Sequence, residues 1–308
     1  MKIAVTGGTG FVGSDLVKAL LRRGDDVWVI SRRSSSSAGK TAPHSGAKQI
    51  SWEELEQSPS RLEGVEAIVN LAGESINQRW NDEAKKRILQ SRIDAAQRIA
   101  NLIDALDSKP SVVVNASGIS IYGTSETDTF NEESDARLTD FLGTVVEKWE
   151  AAADRIPVPR LVKLRVSVVL GRNGGAFPLM AMPYRMFAGG RVGSGKQWLS
   201  WIHIEDMTRL LLFCIDNTSI RGAVNASSPD PVTNDHFGRS IAAAMGRPHW
   251  FPVPAFMMKT LFGEMSTLLL EGQRVLPHKA LTQGFEFRYP SIAEAAEELV
   301  GKSKHSSA

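Results

Sequence analysis

The chain has 308 residues, enough to bury a full core as one large domain or two unequal lobes. Its 42% hydrophobic and 23% charged residues are ordinary for a water-soluble globular protein, and 36 basic against 34 acidic side chains leave a net charge of +2. That balance predicts no nucleic-acid or membrane surface, no apolar stretch is long enough to cross a bilayer, and one cysteine excludes any intrachain disulfide.

Cys214 lies in the apolar run LLLFCI and reads as a buried thiol. The six histidines are scattered without metal-ligand spacing, so no metal is expected. The first apolar run is too short for a secretory signal and passes straight into a glycine cluster. A cytoplasmic, or at least reducing, compartment is expected, with a removed organelle-targeting segment left open.

In chain order, Lys2 to Thr6 reads as a strand, Phe11 to Arg23 as an amphipathic helix, and Val27 to Ile30 as a second strand. This is the first βαβ unit of a dinucleotide-binding domain. Gly7, Gly10 and Gly13 give the spacing G-x-x-G-x-x-G. Gly7 lets the chain leave the strand abruptly, Gly10 clears room for a pyrophosphate, and Gly13 lets helix and strand lie close. The helix then aims free N–H groups and its positive dipole end at the phosphates. Thr9, Phe11 and Val12 complete that turn. An NAD site usually carries Asp or Glu at the end of the second strand, whereas Ser31-Arg32-Arg33 stands here. A guanidinium can pair bidentately with a 2′-phosphate, so NADP is the expected cofactor.

The serine-rich stretch after Arg33 reads as a surface loop near the adenosine end. A brief strand near Gln49 to Trp52 and a short helix follow. Val65 to Gly73 reads as a buried parallel strand whose end places Leu71, Ala72 and Gly73 beside adenine or ribose. Arg79 to Asp107 has helical periodicity. Arg87 and Arg92 on it are candidates for a phosphate, the alternative being solvated helix arginines. SVVVNAS at 111–117 is the next strand and delivers GISIYG to the same edge. A helix near Asp140 to Arg155, a strand over Arg160 to Gly171, a glycine- and methionine-rich segment and a helix carrying Leu210 to Ile215 complete the first part. Helices are predicted near Asn234 to Met245 and Phe256 to Gln273.

Taken together, TGGTGFVG, NLAG at 70–73, S-x-x-x-x-YG at 117–123 and WIHIEDM at 201–207 resemble an extended short-chain dehydrogenase/reductase. A finer set includes KWEAAA at 148–153, VVLGRNGGA at 168–176, GSGKQWLSWIHIED at 193–206 and NASSPDPVTN at 225–234, with EGQRVLP and GFEF near the end. It is similar to the atypical, YfcH-like nucleoside-diphosphate-sugar epimerases, which carry a C-terminal domain of unknown function. The resemblance implies an α/β fold: a Rossmann-type doubly wound parallel sheet with a smaller, mainly helical C-terminal substrate lobe. The expected division is 1–228 (with substrate-lobe insertions at about 172–200), 229–302, and a frayed tail at 303–308. The resemblance also places Gly7, Gly10, Phe11, Val12 and Gly13 on the pyrophosphate and Ser31 and Arg32 on the 2′-phosphate. Leu71 and Ala72 would line the adenosine side, with Arg92 and Val169 as further cofactor contacts.

The chemistry departs from the superfamily. None of Tyr122, Tyr184 and Tyr289 has Lys four residues on, and Leu142 and Val146 stand where the Tyr-x-x-x-Lys pair belongs. Ser117 and Tyr122 are the candidate catalytic groups beside the nicotinamide, with strand-end packing and turn hydrogen bonds as the alternative. His203 and Asp206 read better as a strand residue and a helix cap than as a proton carrier and its partner. Lys196, Gln197, Trp198 and Arg165 are candidates for contacting a sugar-like or anionic small-molecule substrate. Two functions are therefore open: an NADP-dependent oxidoreductase or epimerase, or an NADP(H)-binding regulatory or scaffold protein.

Overall fold

The computed structural model describes residues 1–32 and 45–301; Arg33, the serine-rich loop and the tail from residue 302 lie outside them. Strand β1 (Lys2–Thr6), helix α1 (Phe11–Arg23) and strand β2 (Asp26–Ser31) form the expected opening unit. Helix α1 buries Leu16, Val17 and Leu20, leaves Arg22 and Arg23 at its carboxyl end, and stops at Gly24 with φ +87°. Next come β3 (Lys48–Ser51), α2 (Trp52–Gln57), β4 (Ala67–Asn70), α3 (Asp82–Asp104) and β5 (Val112–Gly118). Side chains start these helices locally: Ser51 and Glu54 form a reciprocal capping box on α2, and Asn81 caps α3. Then follow β6 (Thr129–Phe130), α4 (Phe141–Ala153) and β7 (Leu161–Val166).

The predicted strand over Arg160 to Gly171 is two strands. β7 ends at Val166, and β8 (Val168–Gly171) joins a different sheet. The break falls at Ser167, whose N–H and hydroxyl both bond the Ala226 carbonyl. After β8 come β9 (Gly174–Gly175), α5 (Phe177–Arg185), β10 (Trp198–Leu199), β11 (Trp201–His203), α6 (Ile204–Asp216) and β12 (Gly222–Ala226).

The central sheet has seven strands in the order β12-β7-β5-β4-β1-β2-β3, all parallel. The chain builds outward from β1 to β3 and then returns to β4 on β1's other side. That reversal opens a crevice at the carboxyl ends of β1 and β4, where ligands of such sheets sit. One face is packed by α1 and α6 through Leu16, Leu20, Leu210 and Leu211, the other by α2 and α3 through Leu55, Ile99 and Ile103. Such two-sided burial is why the strands read as continuous apolar runs. Buried Arg160 closes the end of α6, donating to the carbonyls of Cys214 and Ile215 at 2.6 Å. Burial pushes the Cys214 thiol up to about 12, consistent with an inert packing role.

A third apolar cluster joins Leu170, Phe177, Tyr184 and Trp201 to Phe237, Ile241, Ile292 and Leu299. It is a second lobe assembled from two stretches of chain. The later elements of the chain are β13 (Val232–Thr233), α7 (Asn234–Met245), α8 (Ala255–Phe262), α9 (Thr267–Leu270), β14 (Arg274–Val275), α10 (His278–Thr282) and α11 (Ile292–Leu299). Of these, β13, α7 and α11 enter this cluster, whereas β14 pairs with β6 and α10 packs on the core of the central sheet. The single helix predicted over Phe256 to Gln273 is in fact interrupted by a 3-10 turn at Gly263–Ser266, where Gly263 takes φ +58°. Among the described residues, no helix is long and apolar enough to cross a membrane.

Candidate cofactor and active site

The glycine turn fits its expected task on geometry. Gly7 takes φ +69°, and a Cβ there would lie 2.6 Å from the Leu71 carbonyl oxygen. A Cβ on Gly13 would lie 2.2 Å from the Gly7 carbonyl oxygen, so α1 presses directly on the turn. Gly10 is the cap residue of α1, is exposed, and supplies no side-chain cap. The first turn of α1 carries no acidic residue either, leaving the amino end available to a phosphate. Thr9 is exposed beside it, and Val12 packs on the first core cluster. Phe11 turns to the other lobe: a Cβ on Gly174 would come within 2.4 Å of its ring, and one on Gly171 within 2.5 Å. Val169 lies in that same β8 strand, in register with Ile202 of β11. Across the crevice, Ser31 ends β2 and Arg32 follows it in solvent.

The facing wall is the end of β4. Thr6, Asn70 and Asn115 are in register across β1, β4 and β5, and all three are fully buried. The Thr6 hydroxyl donates to Asn70 Oδ1 at 2.6 Å, and Asn70 Nδ2 donates to Asn115 Oδ1 at 2.6 Å. Asn70 Oδ1 also accepts from the Ala72 N–H at 3.3 Å. This ladder ties three strand ends together and orients Leu71 to Gly73. The sequence reading missed it, although the signal was there: a polar residue ends each of three apolar runs, as AVT, IVN and VVN.

Arg92 stands against this wall. A Cβ on Gly73 would lie 3.1 Å from its guanidinium carbon, and the guanidinium lies 5.1 Å from the Trp149 ring centre. Nη1 donates to the carbonyls of Ile88 and Glu74 at 2.8 and 3.1 Å. Burial lowers its pKa to about 10. Arg87 is exposed and donates to Gln78, so the two helix arginines part company.

Beyond β5 the site is apolar where the superfamily is ionisable. Leu142 and Val146 are buried on α4, and a Cβ on Gly118 would lie 3.0 Å from Val146 Cγ2. One helical turn further on, Glu150 faces the same strand. It accepts from Ser117 Oγ at 2.7 Å and from Arg165 through Nε and Nη2 at 2.8 and 3.0 Å. Burial pushes the Glu150 carboxyl up, but Arg165, Ser117 and Lys163 outweigh it and hold the group below the usual carboxylate range. Arg165 Nη1 also donates to the Tyr122 hydroxyl at 2.8 Å, and that hydroxyl donates to Asn225 Oδ1 at 2.8 Å. Tyr122 is fully buried and stacks on Phe130; burial pushes its phenol up further than Arg165 pulls it down. Ser117, Tyr122, Glu150, Arg165 and Asn225 thus form one buried polar chain, of which the sequence reading named Ser117, Tyr122 and Arg165.

The remaining candidates divide. Gln197 is buried and its Nε2 donates to the carbonyls of Val192 and Leu269 at 2.9 and 2.8 Å, so it braces the lobe rather than facing a cleft. Trp198 Nε1 donates to the Glu126 carbonyl at 2.8 Å with the Arg274 guanidinium over its ring. Lys196 is exposed. His203, not Asp206, caps α6: its Nδ1 accepts from the Glu205 N–H at 3.2 Å while Nε2 meets Glu298 at 3.0 Å. Asp206 instead accepts the main-chain N–H groups of Arg288 and Tyr289, both at 2.8 Å. Both side chains are engaged by protein groups, and the cap expected of Asp206 falls to His203.

An open parallel sheet with a glycine turn and an uncapped helix at its switch point defines a nucleotide-binding Rossmann protein. Residues 3–226 match the NAD dependent epimerase/dehydratase family, and residues 253–299 match a domain of unknown function, DUF1731. The chain belongs to the NAD-dependent epimerase/dehydratase family. It is 40% identical to the epimerase family protein YfhF of Bacillus subtilis over 99% of each chain. The crystal structure of human epimerase family protein SDR39U1 (isoform 2) with NADPH superposes with a TM-score of 0.88 at 36% identity, covering 97% of this chain and 99% of that one. A nucleoside-diphosphate sugar epimerase from Corynebacterium glutamicum superposes with a TM-score of 0.76 at 29% identity, covering 97% of this chain and 58% of that one.

Proposed function

We propose that this chain is an NADP(H)-dependent oxidoreductase or epimerase acting on a small, sugar-like or anionic substrate held between the sheet and the second lobe. One observation carries the cofactor choice: the strand after the glycine turn ends in Ser31-Arg32, where an NAD site places a carboxylate. The human relative crystallised with NADPH supports the same reading. When bound, the nicotinamide supplies or accepts hydride. Gly7, Thr9, Gly10 and Gly13 with the amino end of α1 would hold the pyrophosphate, with Phe11, Val12 and Val169 lining its path. Ser31 and Arg32 would take the 2′-phosphate, and Leu71, Ala72 and Gly73 the adenosine side. Arg92 supports the reading as a half-buried cation that donates to the main-chain carbonyls of Ile88 and Glu74 and can meet an anion.

Ser117 and Tyr122 are best read as positioning residues. Proton transfer near neutral pH favours a group with a pKa near 7. Tyr122 is shifted the other way, and its hydroxyl is already engaged by Arg165 and Asn225. They would fix the end of β5, from which the substrate is approached. Lys196, exposed after the turn at Gly195, is a cation available to an anionic substrate. The C. glutamicum relative's name favours a nucleotide sugar among such substrates. The substrate lobe would comprise about 172–200 and 229–302, and a cytoplasmic location suits a chain with one buried thiol.

Titration of Arg32→Asp tests the cofactor reading. NADPH affinity is expected to fall at least tenfold more than NADH affinity, since a carboxylate repels the 2′-phosphate and suits a 2′-hydroxyl. Equal loss for both cofactors contradicts the assignment.

A further inference from the structure

One end of the second lobe turns its apolar side chains outward. Met186, Phe187, Trp250, Phe251, Phe256 and Leu261 are all exposed, Trp250 by 71% and Leu261 by 75%. Phe187, Trp250 and Phe251 lie together because two segments run side by side, and Phe256 and Leu261 follow along the chain. Trp250 Nε1 donates to the Phe187 carbonyl at 2.9 Å, the Trp250 and Phe251 N–H groups to the Gly189 carbonyl, and the Val253 N–H to the Arg191 carbonyl. The chain then enters α8 at Ala255, and α8 buries none of its residues. Singly scattered exposed hydrophobes need no explanation, but a contiguous aromatic surface marks an interaction site.

Backbone strain points to the same place. Phe187 has φ +59°, and among the described residues it is the one non-glycine in that region. A bulky side chain adopts this conformation only where its surroundings hold it, and such strain clusters at functional positions. Here the Arg247 guanidinium stacks on the Phe187 ring at 4.1 Å while Trp250 holds the carbonyl.

Charge selects the partner. Residues 179–192 and 247–262 carry Arg185, Arg191, Arg247 and Lys259 and no Asp or Glu, in a chain otherwise balanced in sign. Carboxylates on adjoining elements are already paired, Asp235 with Arg239 and Glu264 with Lys85. A second copy docking on this face would bring the same cations together, which is unfavourable. We propose that this face docks on an anionic lipid surface. Its Trp, Phe, Met and Leu side chains would enter the interfacial zone, and its four cations would meet headgroup phosphates. The near-neutral whole-chain charge hides this segregation.

The test is co-sedimentation of the full chain with phosphatidylcholine vesicles containing about 30% phosphatidylserine, enough to create an attractive surface potential. Binding is expected to these vesicles, at least tenfold weaker to pure phosphatidylcholine, and weakened by high salt. Trp250→Ser with Leu261→Ser should reduce binding at least tenfold, and so should Arg247→Gln with Lys259→Gln. An unchanged thermal unfolding midpoint in both variants separates loss of docking from loss of fold. No co-sedimentation, undiminished binding by the variants, or binding to polyglutamate but not to vesicles overturns the proposal. So does a dimer in light scattering that the Trp250→Ser, Leu261→Ser variant dissolves.

Discussion

Arg165→Met is expected to lower the unfolding free energy by about 3–5 kcal/mol, because it strands a buried carboxylate. Glu150 and Arg165 side chains are 9% and 11% exposed, so water cannot replace the lost partner. Lys163 lies 3.4 Å from Glu150 and, with Ser117, keeps the loss toward the lower end of that range. Glu150→Gln with Arg165→Met should recover a large part of the loss, since the double variant buries no unpaired charge. Urea denaturation at about pH 7 measures both, and additive single and double effects would contradict a coupled pair. The sign with pH follows from the lowered Glu150 carboxyl. Its stabilisation is fully present above the ordinary carboxylate value and is lost as pH falls through the depressed folded-state value. Without Arg165 burial raises the carboxyl, so this acid-side loss should shrink and the stability gap between the parent chain and Arg165→Met should narrow as pH falls.

Gly13→Ala is expected to weaken NADPH binding on the order of 100-fold, more than any single lost hydrogen bond of the site. The added methyl would meet the Gly7 carbonyl oxygen at 2.2 Å and the Gly8 Cα at 2.8 Å, both backbone atoms. Neither can rotate away, so α1 must lift from the turn and carry its amino end off the pyrophosphate. Overpacking of this kind also costs about 1–3 kcal/mol of stability. NADPH titration and urea denaturation of the same variant measure the two effects separately. An affinity within twofold of the parent chain contradicts the placement of the pyrophosphate on this helix.

The sheet was legible because its strands are buried on both faces and therefore read as unbroken apolar runs. The same uniformity hid the break at Ser167, where nothing in RLVKLRVSVVLG distinguishes a strand that continues from one that changes sheets. The Ala226 carbonyl that captures Ser167 lies 59 residues away, beyond any local pattern. The glycine turn was legible because φ +69° at Gly7 and the tight approach at Gly13 restrict residue type at those positions. The buried polar chain was only half legible. Ser117 and Tyr122 stand out by spacing, but Glu150 looks like an ordinary helix carboxylate until α4 packs on β5 and Arg165 comes across from β7. His203 and Asp206 show the same limit: the capping role was foreseen, yet only the turn of the chain at β11 decides which side chain takes it. Helices α5 and α11 were absent from the prediction, being short elements stabilised by their contacts with β8 and α7 rather than by long periodic patterns.

The NADP(H) site is proposed to lie at the β1–β4 crevice. Calorimetric titration of the unmodified chain with NADPH and, separately, NADH tests it most directly. One saturable site per chain is expected, with a Kd for NADPH at least tenfold below that for NADH, about 1.4 kcal/mol in favour of the 2′-phosphate. Absence of saturable NADPH binding, or equal affinity for the two cofactors, would contradict it.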